Sequence, residues 1–210
     1  MTYIYIIVAF IVAYLLGSIP SAVWIGKRFY GVDVREHGSC NAGSTNTLRV
    51  LGAKAALPVF LIDILKGSLA VVAMSCAARL SGVSASCAEI LEIVAVFVAV
   101  MGHILPIFAS FKGGKGVATL LGAVAALSPV AVAVAFGIWL VVFIIWRYVS
   151  LASMVAGLCF PLVVALLPMS RGSMPLQIFS VVVAVLLIVT HRKNIARLRE
   201  GSESKTRFKK

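Results

Sequence analysis

Three short polar stretches carry nearly all the reactive side chains of this chain. The first, Gly38-Ser39-Cys40-Asn41-Ala42-Gly43-Ser44-Thr45-Asn46-Thr47-Leu48-Arg49, packs hydroxyls and amides among glycines and ends in an arginine. Glycines let backbone approach an anion, neutral donors hydrogen-bond its oxygens, and a guanidinium adds a two-pronged contact. The same composition also suits a flexible polar loop. The second, Phe111-Lys112-Gly113-Gly114-Lys115-Gly116-Val117-Ala118-Thr119, leads directly into an apolar helix. Glycine-rich N–H groups at a helix start favour phosphate. A Gly-Gly pair between two lysines fits that better than it fits a tight interhelical turn. The spacing is not that of a Walker A loop. The third, from His191 to Glu203, sets His191 and Asn194 three residues apart on one helical face. Histidine there can move a proton or hold an anion, or simply sit at an interface.

Other candidates are sparser. Asp63 and Lys66 are three apart inside an apolar run, where ionisable groups are costly. They read as a structural ion pair, with substrate contact as the lesser alternative. His103 reads as a packing residue. The four cysteines, Cys40, Cys76, Cys87 and Cys159, lack metal-ligand spacing and read as small packing residues. Cys76 and Cys87 flank an expected outer turn, where a disulfide is the minority reading.

The elements that must position these loops follow from composition. The chain has 210 residues, 61% hydrophobic and 12% charged, and its mean hydropathy is +1.08. A soluble domain needs far more polar surface, so lipid is the solvent. Uncharged stretches run over Thr2–Gly26, Ile93–Phe111, Gly116–Trp146, Tyr148–Ser170 and Gly172–Thr190. About 20 apolar residues cross a bilayer as a helix. Alternating patterns expected of an outer-membrane barrel are absent. The first stretch lacks a preceding basic region and reads as a retained span.

The net charge of +12 is clustered rather than spread. Lys27, Arg28, Arg35, Arg49 and Lys54 follow the first apolar stretch, Lys112 and Lys115 form a second group, and Arg147 stands alone. Eight more Lys or Arg lie from Arg192 to Lys210. Such groups mark the cytoplasmic side and contact anionic lipid, so nucleic acid is not implied. Returning to that side each time requires Ala55–Ala78 and Ala88–Ser110 to cross out and back. A single helix over Val117–Trp146 would be about 45 Å long against a core of about 30 Å. Ser128-Pro129 is therefore read as a turn, with a re-entrant pair as the alternative. The last two runs, broken at Pro168–Pro175, also cross out and back. The expected fold is an all-α polytopic integral membrane protein with seven transmembrane helices, N-terminus outside and C-terminus in the cytoplasm. It forms a single membrane-embedded domain, 1–210, with cytoplasmic loops at about 27–52, 111–119 and 191–203. Trp24, Trp146 and Tyr148 fall at the expected interfaces.

Taken together, the three motifs resemble those of the bacterial acyl-phosphate-dependent glycerol-3-phosphate acyltransferases, the PlsY family. Gly17-Ser18-Ile19-Pro20-Ser21, Asp63 with Lys66-Gly67, and Tyr148-Val149-Ser150-Leu151 extend the likeness along nearly the whole chain. Two departures are Cys40 where the family usually has glycine and Ala42 where proline is common. The resemblance implies transfer of an acyl group from acyl phosphate to the 1-hydroxyl of sn-glycerol 3-phosphate, giving lysophosphatidic acid and inorganic phosphate, the first step of phospholipid synthesis. It implies no metal or cofactor, an inner-membrane location and a monomer among membrane lipids. It further implies catalytic roles for Ser39, Arg49, Lys112, His191 and Asn194. Substrate binding would fall to Asn41, Gly43, Thr45, Asn46, Gly113, Gly114, Lys115, Gly116, Ser150 and Glu203. Acyl phosphate would sit on the second loop, and His191 and Asn194 would orient glycerol phosphate.

The residues fit that chemistry. An activated acyl donor needs no enzyme nucleophile, only alignment, charge stabilisation and an acceptor for the hydroxyl proton. A transporter would place its polar groups near the midplane, and a lipid kinase would need metal-binding carboxylates in the loops. None of His37, His103 or His191 has aspartate five residues on, which excludes the His-x4-Asp acyltransferase mechanism.

Overall fold

The computed structural model describes residues 2–167 and 173–206, and the described residues form helices and connecting turns without strands. In chain order the helices are α1 (Thr2–Gly17), α2 (Ser21–Tyr30), α3 (Ser44–Leu51), α4 (Ala53–Leu80), α5 (Ala85–Ile104), α6 (Val117–Leu127), α7 (Pro129–Trp146), α8 (Val149–Leu166), α9 (Met174–Thr190) and α10 (Arg192–Arg199). Their contacts divide the chain into two compact units, Met1–Leu127 and Ser128–Lys210.

Outward faces are apolar at helical spacing. Ile7, Ile11 and Leu15 on α1 are exposed, as are Leu57, Leu61, Leu65 and Leu69 on α4 and Val181, Val185 and Val189 on α9. Stripes of this kind are stable against lipid and not against water. Inside the first unit the core is built from small residues, Ala9, Ala13, Ala70, Ala77, Ala95 and Ala99 around Met74. Without a hydrophobic drive between helices in lipid, close backbone approach supplies the packing. Gly17 of α1 admits the Ala99 carbonyl of α5, Gly67 of α4 admits that of Thr119 in α6, and Gly122 of α6 admits that of Ile64 in α4. A methyl group at any of these glycines would overlap backbone.

Among the described residues four segments are long and apolar enough to cross a membrane alone: Ala53–Leu80, Ala85–Ala109, Pro129–Trp146 and Val149–Leu166. Two bent pairs, Tyr3–Gly17 with Ser21–Tyr30 (41°) and Met174–Thr190 with Arg192–Arg199 (57°), would bring the total to six. The seventh expected crossing, α6, has 11 residues, a rise of about 16 Å. The first apolar stretch, read as one span, is instead broken at Ser18–Pro20. Pro20 supplies no N–H and disfavours helical backbone at Ile19, so α1 ends and α2 restarts at Ser21.

The expected turn at Ser128-Pro129 does separate two helices, with Pro129 in the first turn of α7, where its missing N–H costs nothing. The expected break at Pro168–Pro175 lies partly outside the described residues. Beyond it, Ser173 caps α9 by accepting the Leu176 N–H at 3.2 Å. All four cysteines are free thiols, and Cys76 and Cys87 are both exposed.

Candidate functional regions in each unit

The first polar loop is organised by Asn46, in the first turn of α3. Its Oδ1 accepts from the Ser39 N–H (2.8 Å) and hydroxyl (3.1 Å), and its Nδ2 donates to the carbonyls of Val34 (2.7 Å) and His37 (3.1 Å). All four hydrogen-bonding positions of the amide are filled inside the loop. Asn46, expected to bind substrate, therefore builds the loop that presents Ser39. Gly38 sits against Asn46 with φ of 63°, a backbone that glycine adopts without strain. Cys40 adopts φ of 55°, which explains why glycine suits that position. Asn41, Gly43 and Thr45 are half-buried, whereas Arg49 is exposed. Arg49 lies one helical turn beyond Thr45 on the same face of α3.

The second loop lies against the first. A side chain on Gly114 would meet the Ala42 carbonyl at 3.1 Å and overlap the His103 imidazole. Arg35 fastens the loops together from the other side. Asp33 holds its guanidinium through both carboxylate oxygens (2.7 to 3.3 Å), and Nη1 donates to the Ala109 carbonyl at 3.0 Å and the Lys112 carbonyl at 3.5 Å. Lys27 adds an ion pair to Asp33 at 3.1 Å. The Arg35 hydrogen bond holds the Asp33 carboxyl well below the usual carboxylate range despite its partial burial. Neither Asp33 nor Arg35 belongs to the three polar motifs. The two-residue spacing signals an ion pair, but its target lies 74 residues away.

The N–H groups of Gly113 and Gly114 were expected to cradle a phosphate. They instead donate to the carbonyls of Ile104 and His103, each at 3.2 Å. These glycines let the loop close onto the end of α5. The first intrahelical bond of α6 runs from Leu120 to the Gly116 carbonyl at 2.7 Å, so the N–H groups of Val117, Ala118 and Thr119 have no acceptor within the helix. Gly116, at φ of 77° and against the Val100 side chain, makes the turn into α6. Lys112 is exposed and Lys115 half-buried.

In the second unit, Ser150, His191, Asn194 and Glu203 are all buried. Glu203 is the hub. Its Oε1 accepts from Ser150 Oγ and Asn194 Nδ2, both at 2.8 Å, and its Oε2 accepts from Arg197 Nε at 2.7 Å. Burial pushes this carboxyl up, but the hydrogen bonds from Arg197, Asn194 and Ser150 outweigh it and hold the group below its usual range. Glu203, expected to bind substrate, is hydrogen-bonded to Asn194, Ser150 and Arg197 within this unit and fixes the positions of those side chains. The chain beyond α10 then folds back, with Thr206 N–H donating to the Arg147 carbonyl at 2.9 Å and Lys205 Nζ 5.4 Å from the Tyr148 ring centre. An open cleft lies here, lined by Arg147, Tyr148, Glu203 and Lys205. His191 Nδ1 donates to the Leu187 carbonyl at 2.8 Å, which fixes the ring and assigns the acceptor role to Nε2 when the ring is neutral.

Among the described residues no three His, Cys, Asp or Glu side chains are grouped to hold a metal ion. Each unit thus carries cationic and neutral donors on polar segments joined to apolar helices, a composition suited to anionic ligands. The chain belongs to the glycerol-3-phosphate acyltransferase family, whose model matches residues 7–201. A glycerol-3-phosphate acyltransferase of Chlorobaculum tepidum is 42% identical, covering 94% of this chain and 95% of its own. One from Synechococcus elongatus is 42% identical over 92% and 90%. The fold is similar to crystal structures of PlsY (YgiH), an integral membrane glycerol 3-phosphate acyltransferase. The glycerol 3-phosphate form has a TM-score of 0.81 at 37% identity, covering 96% of both chains. The lysophosphatidic acid form has a TM-score of 0.78 at 36% identity, covering 96% and 95%. With its several apolar helices of spanning length, the chain is a multi-pass membrane protein.

Proposed function

We propose that this protein transfers a fatty acyl group from acyl phosphate to the 1-hydroxyl of sn-glycerol 3-phosphate, releasing lysophosphatidic acid and inorganic phosphate as the first step of bacterial phospholipid synthesis. The observation that carries this reading is the family match, which runs through the first two polar loops and most of the third, together with solved relatives described as glycerol 3-phosphate and lysophosphatidic acid forms.

In this reading the hydroxyl oxygen forms a bond to the acyl carbonyl carbon and the carbon–oxygen bond to phosphate breaks. Ser39, Arg49 and Lys112 stabilise the charge that develops, while His191 and Asn194 orient the acceptor. Asn41, Gly43 and Thr45 complete the first loop's contacts with the glycerol phosphate. Lys115 and Gly116 hold the acyl phosphate on a backbone shaped by Gly113 and Gly114, and Ser150 is a supporting donor. A phosphate oxygen of the donor takes the hydroxyl proton. This assignment is motivated by the donor itself, whose phosphate oxygens are covalently held beside the attacked carbonyl carbon and so within reach of the hydroxyl proton. His191→Asn with substrate affinity kept and the rate abolished would instead make His191 the base. We further read seven crossings of the inner membrane, counting α6, with the N-terminus outside and the loops cytoplasmic, in a monomer surrounded by lipid.

The test is direct. The purified protein is supplied with palmitoyl phosphate and glycerol 3-phosphate, with acyl-CoA as the control donor. Phosphate release that requires glycerol 3-phosphate, yields lysophosphatidic acid and disappears in Arg49→Ala is the expected result. Transfer from acyl-CoA alone would overturn the donor, and silence from folded protein would overturn the reading.

A further inference from the structure

Beneath the second loop lies a buried polar cluster that the proposed chemistry does not use. Asp63 and Lys66 on α4 form an ion pair at 2.7 Å, each almost wholly buried. Lys66 Nζ also donates to the Ile19 carbonyl at 2.8 Å, in the break between α1 and α2. Ser21 Oγ, at the start of α2, donates to Asp63 Oδ1 at 2.7 Å. The same Oδ1 is 3.7 Å from Nδ1 of His103 on α5, and that nitrogen is 3.1 Å from Thr119 Oγ1 on α6. A buried charge pair is a poor source of net stability, because desolvation consumes most of the attraction. Its use here is geometric, since it fixes an oxygen against which the His103 ring is set.

His103 in turn grips the glycine loop at two places. Its own carbonyl and that of Ile104 receive the N–H groups of Gly114 and Gly113, and its imidazole fills the space left by the missing Gly114 side chain. Five residues on, its Nδ1 meets the Thr119 hydroxyl, whose backbone carbonyl is pressed against Gly67 next to Lys66. Lys115 and Gly116 lie between these two anchors. We infer that His103 is a positioning residue for the Lys112–Thr119 loop. Through Gly114 and Thr119 it holds that loop in its anion-binding shape, with Asp63 and Lys66 as its support. The anion-binding part rests on the proposed function, whereas the anchoring of the loop does not.

Thr119→Val tests this with the full-length protein in detergent, because it keeps side-chain volume and deletes one hydroxyl. Loss of one buried hydrogen bond corresponds to about a fivefold change. Backbone amide exchange over residues 111–119 is expected to accelerate by about that factor or more, with α4 exchange unaltered. The KM for a phosphorylated substrate, acyl phosphate foremost, is expected to rise by a similar factor while kcat changes little. Thr119→Ser should restore both. His103→Asn, whose amide can replace Nδ1 but not fill the ring's space, should fall between. Unchanged exchange in Thr119→Val overturns the inference. So does faster exchange with an unchanged KM, which would leave His103 a residue of the fold alone. If the wild-type protein transfers no acyl group, the proposed function fails, and the exchange measurement still decides whether His103 anchors the loop.

Discussion

Glu203→Gln should release the tail of the second unit. The carboxylate, with its side chain 2% exposed, takes Ser150 and Asn194 on one oxygen and Arg197 on the other. A glutamine has one acceptor and one donor end. If its oxygen serves Ser150 and Asn194, its NH2 faces the Arg197 N–H. If it flips, the Asn194 donor faces the NH2 instead, while the Ser150 hydroxyl can turn to accept. Either way at least one bond is lost and donors confront each other. Losing the charge-assisted bond alone costs about 2 kcal/mol, a factor of about 30 in the opening equilibrium of the 191–206 segment. Limited trypsin cleavage after Arg197 and Arg199 in detergent reads this opening. The variant should be cut about 30-fold faster where opening precedes cleavage. Cleavage within twofold of wild type would refute the assignment of Glu203 as the latch. The pH dependence gives a second check with a fixed sign. The folded carboxyl lies below its ordinary value of 4.5, so its contribution is complete above that pH and is lost as pH falls through the lower folded value. Wild-type protection should therefore hold at pH about 6 and fade only as the pH falls below the ordinary carboxylate range, while the glutamine variant shows no such step.

Arg35→Lys cannot keep both carboxylate contacts and the Ala109 bond, and kcat/KM for acyl transfer should fall by about tenfold. Because Asp33 stays ionised well below the usual range, the strap should show no pH dependence between about 5 and 8 in the wild-type profile. Cys40→Gly relieves a left-handed backbone worth about 1 kcal/mol but frees the unfolded chain by a similar amount. Unfolding should shift by less than about 1 kcal/mol, with transfer undiminished. A large loss of transfer would show that the Cys40 side chain itself is used. Gly67→Ala drives a methyl into the Thr119 carbonyl and should destabilise by about 2 kcal/mol in a detergent unfolding series. Gly137→Ala, with open space around it, should be neutral or slightly stabilising.

The helical, membrane-embedded character was legible because it depends on long uncharged runs, and these survive any detail of packing. Ser128-Pro129 could be read as a break because proline acts locally. Ser18–Pro20 carries the same local signal, but the run around it has the length of one span, so the break there is hidden. What could not be read were the partners. Nothing near Arg35 in sequence points to Ala109, and nothing in Lys-Gly-Gly-Lys says that two of its N–H groups are spent on the end of α5. Asn46 and Glu203 look like ligand contacts in a motif because they are polar and sit among glycines and cations. The hydrogen bonds that tie them into their own loops are set by the fold and could not be read from the motif. Asp63 and Lys66 were legible as an ion pair from their spacing, but the link onward to Thr119 passes through three helices.

The shortness of α6 has a consequence for the surrounding bilayer. If its 11 residues bridge the apolar layer, they fall short of its thickness by about 14 Å. Lipid next to such a helix must thin, or water and head groups must sink toward it. The glycine loop stands at the start of this helix, so the depression would form beside it. On the proposed function, an acyl phosphate drifting in the leaflet would then find its head drawn down with the interface while its tail stayed immersed. The membrane's own deformation would deliver the substrate's head to the loop, and activity should fall in bilayers made progressively thicker with longer-chain lipids.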